Sequence, residues 1–500
     1  MQIEKLLHDI ECFPDFVAQN LDVSQIAYDS RKVSAGCLFV AIRGVQIDGH
    51  AFISQAIAQG AQAVLCEKIP PEYSDSKQVL FFQVKDSRKA LAQLSKKFYA
   101  APSHAMKTVG ITGTNGKTTL SYLIEALFLD AGYSPTVIGT INFRHQEKVF
   151  PSSHTTPESL DLDLFLSERI KEVSDALVME VSSHAIDQHR VDGIEFDVAI
   201  FTNLTPDHLD YHKNLQSYFA AKARLFRELL PQSPKAEKVA VLNLDDENVR
   251  RLKSEMKIPV LGFSLSNMDA EVFSVSHYIS IHGIEAKVQT PQGIVMLRSP
   301  LLGEFNLSNL LAAVATGLAF HIPLSKIEKA LNEFQQVPGR MERIENKKNL
   351  HVFVDYAHTP DALKNVLETL RKVLKEGQTS AKVITVFGCG GDRDKTKRPL
   401  MGAQVAKLSN LAVLTSDNPR SENPLMIIEE VKEGLMSVGF LENKNFWVEA
   451  DRKKGIELAF SKANPGDVIL IAGKGHEDYQ ILGKQKIHFD DREVAREFLS

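Results

Sequence analysis

Gly110-Ile-Thr-Gly-Thr-Asn-Gly-Lys-Thr-Thr119 follows the short apolar start of a strand and precedes a run with helical character. Strand, glycine-rich loop and helix in that order make a phosphate cradle. Small residues let backbone N–H groups reach phosphate oxygens, Lys117 adds a point charge, and Thr118 offers a hydroxyl to Mg²⁺. The strict spacing places a glycine where Ile111 stands, and Gly110 sits one residue early. The loop is therefore a variant whose core, Gly113-Thr-Asn-Gly-Lys-Thr118, is intact. A plain glycine-rich turn is the alternative, but the flanking strand and helix favour a bound nucleoside triphosphate.

Outward from this loop, strand and helix signals alternate. A helix near 117–131 is followed by the apolar runs Ala176-Leu-Val-Met-Glu180, Asp197-Val-Ala-Ile-Phe201 and Val239-Ala-Val-Leu-Asn243, which implies a mostly parallel sheet with helices on both faces. Residues 269–300 alternate polar and apolar positions instead, as an antiparallel insert would. Upstream, Cys37–Ile42 and Ala63–Cys66 are strand candidates, Phe52–Ala58 reads as a helix, and Tyr99-Ala-Ala-Pro-Ser103 as a linker. Downstream of Val337-Pro-Gly-Arg340, four more buried strands are expected at His351–Asp355, Val383–Phe387, Leu411–Thr415 and Val468–Ala472. The expected fold is α/β in three domains: a small N-terminal α/β domain (1–100), a central parallel-sheet ATPase domain carrying the phosphate loop (101–336), and a Rossmann-like C-terminal α/β domain (337–500).

A chain of 500 residues exceeds what one core organises, in keeping with three domains. Its 58 basic and 63 acidic side chains give a net charge of −5 with no large basic block, which argues against nucleic acid as the main partner. The cysteines Cys12, Cys37, Cys66 and Cys389 are scattered, as expected in a reducing compartment. No apolar stretch reaches membrane-spanning length, so a cytoplasmic protein without membrane insertion is expected.

Each central strand ends in reactive groups. Glu180 can face a metal at the phosphate loop. Thr202-Asn-Leu-Thr-Pro-Asp-His-Leu-Asp-Tyr-His212 packs two aspartates and two histidines into eleven residues. Zinc is one reading of that segment; Mg²⁺ beside a triphosphate is preferred, because the loop already demands it. Lys222, on an evident helix, reads by itself as a surface residue. Three charged loops follow C-terminal strands: Gly390-Gly-Asp-Arg-Asp-Lys-Thr-Lys-Arg398, Asp417-Asn-Pro-Arg420 and Gly473-Lys-Gly-His-Glu477. Ligands gather at such strand ends, and guanidinium groups with a carboxylate suit a zwitterion: Arg for its carboxylate, Glu for its ammonium. These residues point to an enzyme that uses ATP and Mg²⁺ on an amino-acid-like substrate.

Taken end to end, the chain resembles the Mur ligase family. The resemblance rests on Gly113-Thr-Asn-Gly-Lys-Thr-Thr119, Asn203-Leu-Thr-Pro-Asp-His-Leu-Asp210, Asn306-Leu-Ser-Asn309 with Ala312-Ala313, Val337-Pro-Gly-Arg-Met-Glu342 and Asp355-Tyr-Ala-His-Thr-Pro360, in that order. Within the family, Asp29-Ser-Arg31, Thr155-Thr-Pro157, Glu180-Val-Ser-Ser-His184, Gly391-Asp-Arg-Asp394 and Gly473-Lys-Gly-His-Glu-Asp-Tyr-Gln480 look like the members that add the third residue of the peptidoglycan stem peptide.

The resemblance implies roles. ATP would be held by Gly113, Thr114, Asn115, Gly116, Lys117, Thr118 and Thr119, with Asn306, Asn309, Arg340, Asp355 and His358. Metal ligands would be Thr118, Glu180, His208 and Lys222, the last as a CO₂-derived carbamate; Lys117, Lys222 and His208 would be catalytic. The UDP-linked substrate would meet Tyr28, Ser30, Val45, Gln46, Ile47, Thr155, Thr156, Ser182, Gln188 and Arg190. Asp417-Asn418-Pro419-Arg420 marks the enzymes that take meso-diaminopimelate, with Arg393, Gly473 and Glu477 completing that pocket. The implied reaction phosphorylates the D-glutamate carboxylate of UDP-N-acetylmuramoyl-L-alanyl-D-glutamate, and the incoming amine then attacks the acyl phosphate. Partners would be these small molecules only, and a monomer is expected. Folylpolyglutamate synthetase, a relative with the same loop, lacks the Asp-Ser-Arg and Asp-Asn-Pro-Arg segments. A nucleotide-driven switch protein would leave the three charged loops unexplained.

Overall fold

A computed structural model describes residues 1–13, 21–44, 47–74, 76, 78–152, 154–377 and 380–499. The chain divides into two compact units, residues 1–273 with 311–327, and residues 274–310 with 328–500.

The first unit begins with a four-stranded parallel sheet of β1 (Gln25–Ala27), β2 (Cys37–Val40), β3 (Ala61–Cys66) and β4 (Leu80–Gln83) in sequential order. The expected strands at 37–42 and 63–66 and the helix at Ile53–Ala58 are present, slightly shifted. A left-handed Ala100-Ala101 pair then turns the chain out of helix Ser87–Phe98.

The unit's second sheet is built on β5 (Lys107–Thr112), β6 (Pro135–Ile138), β7 (Asn142–His145), β8 (Lys148–Pro151), β9 (Ala176–Glu180), β10 (Val198–Phe201), β11 (Val239–Asn243) and β12 (Val260–Ser264). Its order is β12-β11-β10-β5-β9-β6, all parallel, extended by the antiparallel β7 and β8. β9 is buried along its whole length, β10 likewise, as strands covered on both faces must be. β5 lies between β9 and β10, so the loop after it opens at the centre of the sheet's carboxyl edge. β13 (Val272–Ser280) starts parallel to β12.

In the second unit, β14 (Gly283–Thr290) and β15 (Gly293–Ser299) form an antiparallel hairpin, which agrees with the alternation seen in 269–300. Its main sheet runs β16 (Glu342–Ile344), β17 (His351–Asp355), β21 (Val468–Ala472), β18 (Val383–Phe387), β19 (Leu411–Leu414), β20 (Phe446–Val448). All pairings are parallel except that of the edge strand β16. The four expected strands are its centre. A hairpin of β22 (Tyr479–Leu482) and β23 (Gln485–His488) follows β21. Among the described residues, no helix is long and apolar enough to cross a membrane.

Candidate functional site

Gly110 lies inside β5, so it is no displaced loop glycine. A Cβ there would sit 2.6 Å from the ring of buried Phe196, and close packing accounts for the residue. The loop proper starts at Gly113, whose φ of +136° suits glycine and whose Cβ would fall 1.9 Å from Thr202 Oγ1. Gly116, at φ +88°, ends the loop, and helix Lys117–Ala131 begins at the next residue. The loop's N–H groups thus share a helix N-terminus with the Lys117 side chain.

The segment after β10 braces this loop. Thr114 N donates to Asn203 O (2.9 Å), Asn115 N to Asn203 Oδ1 (2.9 Å), and Thr202 Oγ1 to Asn115 O (2.6 Å). Thr205 N donates to Thr114 Oγ1, and Thr114 Oγ1 lies within hydrogen-bond distance of Tyr218 OH. The Asn-Leu-Thr motif is therefore a splint for the cradle.

Lys222 overturns its reading as a surface residue. It is 1% exposed and donates to Gly113 O at 2.9 Å, the same carbonyl that Lys117 Nζ approaches at 2.9 Å. Burial, and then the neighbouring Lys117, hold its pKa well below the usual lysine range. A buried amine kept neutral is the form that adds CO₂. Its helix, Leu215–Arg224, places the Tyr218 ring 4.6 Å from the amine and passes into a π-helical turn at Leu225–Leu229, a feature that recurs at functional sites.

Glu180 ends β9 at 1% exposure. Its carboxylate accepts from Thr140 N (2.9 Å), Thr140 Oγ1 (2.9 Å) and Thr118 Oγ1 (3.2 Å), all neutral donors. A buried carboxylate met by neutral donors and adjoining the loop hydroxyl fits a divalent cation. His208 is half-exposed, starts helix Leu209–His212 at φ +52°, and sets its ring 4.9 Å from that of His184. Burial, with His208 and His212 nearby, lowers His184 to about 4. Among the described residues, no three His, Cys, Asp or Glu side chains form a metal-binding group.

Five of the residues expected to meet the UDP-linked substrate, Thr155, Thr156, Ser182, Gln188 and Arg190, share a hydrogen-bonded network beside Glu180. Thr155 Oγ1 lies 3.1 Å from Thr140 Oγ1, Thr156 Oγ1 donates to Glu180 O, and Ser182 N donates to Thr156 Oγ1. Arg190 reaches Thr156 O (2.9 Å) and Gln188 Oε1 (2.7 Å). Glu158, missed in the sequence, receives both Arg190 and Arg88. In the N-terminal sheet's loops, Ser30 Oγ bonds Gln55, Tyr28 OH donates to Asp161, and Ile47 is exposed. Val45 and Gln46 lie outside the described residues.

In the second unit, Asn306 and Asn309 are buried and hydrogen-bonded to each other near the start of helix Glu304–Ala319. Around β17, Asp355 accepts from Met341 N and Ala357 N, and burial raises its pKa. Arg340, His358 and His476 surround the Tyr356 ring at 5.1, 4.5 and 4.9 Å. Burial, then Arg340 and Arg492, lower His476 to about 4. Gly339 lies so close to His476 N that a Cβ would come within 2.0 Å.

The three charged loops do converge. Asn418 Nδ2 donates to Glu477 Oε2 (2.9 Å), and Arg420 Nη1 to Gly391 O (2.7 Å). Pro419 O packs on Gly391, and a Cβ on Gly390 would lie 3.0 Å from Arg420 Nη1 and 4.0 Å from Arg393 Cγ. Arg420 itself is left-handed at φ +52°, an uncommon conformation held by Arg420 N to Ile481 O and Gly483 N to Arg420 O. Gly473 N donates to Asp355 O, and a Cβ on Gly473 would lie 3.7 Å from Asp417 Oδ2. Sequence reading placed Arg398 and Lys474 in charged loops but missed that both are buried and paired, Arg398 with Glu422 and Glu430 and Lys474 with Glu477, and it missed the buried Arg452–Asp491 pair.

A phosphate loop at the centre of a parallel sheet, with a second unit built on its own parallel sheet, defines an α/β class of nucleotide-binding enzymes. The chain belongs to the Mur ligase family: residues 22–99 match the Mur ligase family catalytic domain, 111–317 the Mur ligase middle domain, and 339–475 the Mur ligase glutamate ligase domain. It is 45% identical over 494 residues to the UDP-N-acetylmuramoyl-L-alanyl-D-glutamate–2,6-diaminopimelate ligase of Geobacter metallireducens, covering 96% of this chain and 94% of the relative. The Bacillus cereus protein of that name is 40% identical over 501 residues, covering 100% and 99%. A solved structure of a ligase so named is similar at TM-score 0.73 and 33% identity, covering 100% of this chain and 98% of its own.

Proposed function

We propose that this protein is an ATP- and Mg²⁺-dependent ligase that joins meso-2,6-diaminopimelate to UDP-N-acetylmuramoyl-L-alanyl-D-glutamate in peptidoglycan precursor synthesis. Full-length relatives carry that name, and the convergence of Arg420, Asn418 and Glu477 is the observation that carries the choice of amino acid. Residues 1–100 hold the uridine end, 101–336 the ATP, and 337–500 the incoming amino acid.

The loop amides and Lys117 bind the phosphates, and Thr155, Thr156, Ser182, Gln188 and Arg190 orient the dipeptide. Attack of the D-glutamate carboxylate on the γ-phosphate brings two anions together, so cations must screen them. Thr118, Glu180, carbamylated Lys222 and His208 would hold Mg²⁺, which neutralises charge on the phosphoryl group. Glu477 takes the ammonium and Arg420 the carboxylate of one end of diaminopimelate. L-Lysine lacks that carboxylate and would leave the arginine unpaired.

The test is phosphate release from ATP with the UDP-dipeptide and either amino acid. Release with meso-diaminopimelate but little with L-lysine is expected, with a tripeptide product by mass. Arg420→Ala should lower kcat/KM for diaminopimelate by about 2–4 kcal/mol, the scale of a lost charge pair. Equal use of both amino acids would discard the specificity, and no release with either would discard the ligase.

A further inference from the structure

One charge in the amino-acid pocket has no part in the reaction described above. Lys474 has no solvent exposure, yet its ammonium lies 3.2 Å from Asn418 Oδ1, 3.2 Å from Glu477 Oε2 and 3.6 Å from Asp417 Oδ1. An ammonium only donates, so it accepts no alternative orientation of the amide it meets. Ile481 N donates to the same Asn418 oxygen at 3.0 Å. Both neighbours demand the oxygen at that position, which turns the Asn418 NH₂ toward Glu477. The amide's orientation is therefore set by Lys474 and the β22 backbone.

Charge balance points the same way. Asp417 and Glu477 set two carboxylates against one ammonium, and the neighbouring Arg452–Asp491 pair is self-neutral and fully buried. Asp417 Oδ1 is buried with no hydrogen-bond partner among the described residues. The cluster keeps one negative charge in excess, which a ligand ammonium would complete. Without Lys474 the two carboxylates would repel, and only the Ile481 N–H would still hold the Asn418 oxygen.

We infer that Lys474 is the positioning residue of this pocket: it fixes the Asn418–Glu477 pair that reads the diamino acid, without touching the amino acid itself. The inference rests on the proposed ligase activity.

Phosphate release by wild type, Lys474→Met and Lys474→Arg, with ATP and meso-diaminopimelate varied separately, tests it. In Lys474→Met the KM for diaminopimelate should rise about 30-fold, with kcat within about threefold and the KM for ATP within about twofold. Lys474→Arg keeps the charge with altered geometry and should show a smaller rise, about fivefold. A diaminopimelate KM near that of wild type in Lys474→Met, or an ATP KM that rises in step, overturns the inference. Should circular dichroism show that Lys474→Met does not fold, Lys474→Arg decides alone, and an unchanged KM there overturns it. A wild type that makes no tripeptide sinks the functional reading and this inference with it. A competent wild type with insensitive variants sinks the inference only.

Discussion

Around the phosphate loop, the polar groups are mostly backbone amides, carbonyls and neutral side chains, and two lysine amines share the single carbonyl of Gly113. Around Asp417-Asn-Pro-Arg420 the polar groups are ion pairs built on buried cations: Arg452 with Asp491, Arg398 with Glu422, Lys474 with Glu477. The first arrangement leaves charge unbalanced, which suits a ligand that brings four negative charges and a cation. In the second, most charges are paired beforehand, Asp417 is the carboxylate left over, and geometry does most of the selecting. A cradle can therefore lose a charged side chain and keep its fold, while the pocket's ions are part of the fold.

Lys222→Met should show the largest effect on the cradle side. Activity should fall by at least about 10³-fold if Lys222 holds the metal as proposed, because a ligand of the cation that screens the phosphoryl group would be gone. Stability should move the other way. The folded-state pKa of Lys222 is depressed from 10.5, so below that value the unfolded chain binds more protons than the folded one. This group's contribution is full above 10.5 and is lost as pH falls; methionine removes the loss. Thermal unfolding at pH 7 should give an equal or higher Tm. A clear drop in Tm would mean that Lys222 belongs with the structural ions.

Arg452→Met is the counterpart. Both members of its pair are fully buried and joined by two bonds of 2.7 Å, and the arginine also caps Ala472 O at the end of β21. Stranding Asp491 should cost about 3–5 kcal/mol in urea denaturation. A loss below about 1 kcal/mol would place the pair among dispensable surface bridges and erase the contrast.

That contrast also separates what could be read from the sequence. The cradle falls within ten consecutive residues, 110–119, and its strand, loop and helix follow from local chemistry. Even there Gly110 misled, because the ring that requires it, Phe196, lies far along the chain. Lys222 was named only through the family resemblance, because a helix pattern does not reveal which polar position turns inward beside another lysine. In the pocket, the loops were legible as charged strand ends, but Lys474 meets Asn418 across 56 positions and Arg452 meets Asp491 across 39. Only the crossover order of β17, β21, β18 and β19 brings such partners together.

Tyr28 gives the smallest and sharpest test, on the substrate side of the first unit. Its hydroxyl donates to Asp161, and burial, with that carboxylate, pushes its ionisation far above the usual tyrosine range. The hydroxyl is thus engaged within the protein, and in the proposed function only the ring would be left to meet the uridine. Tyr28→Phe should cost about 1 kcal/mol of stability, the worth of one hydrogen bond, and leave the KM for the UDP-dipeptide within about twofold. Tyr28→Ala, which removes the ring, should raise that KM about tenfold. If phenylalanine raises KM as much as alanine does, the hydroxyl itself contacts the substrate. The Asp161 bond would then be one that opens on binding, and this corner would resemble the cradle, with polar groups held for a ligand.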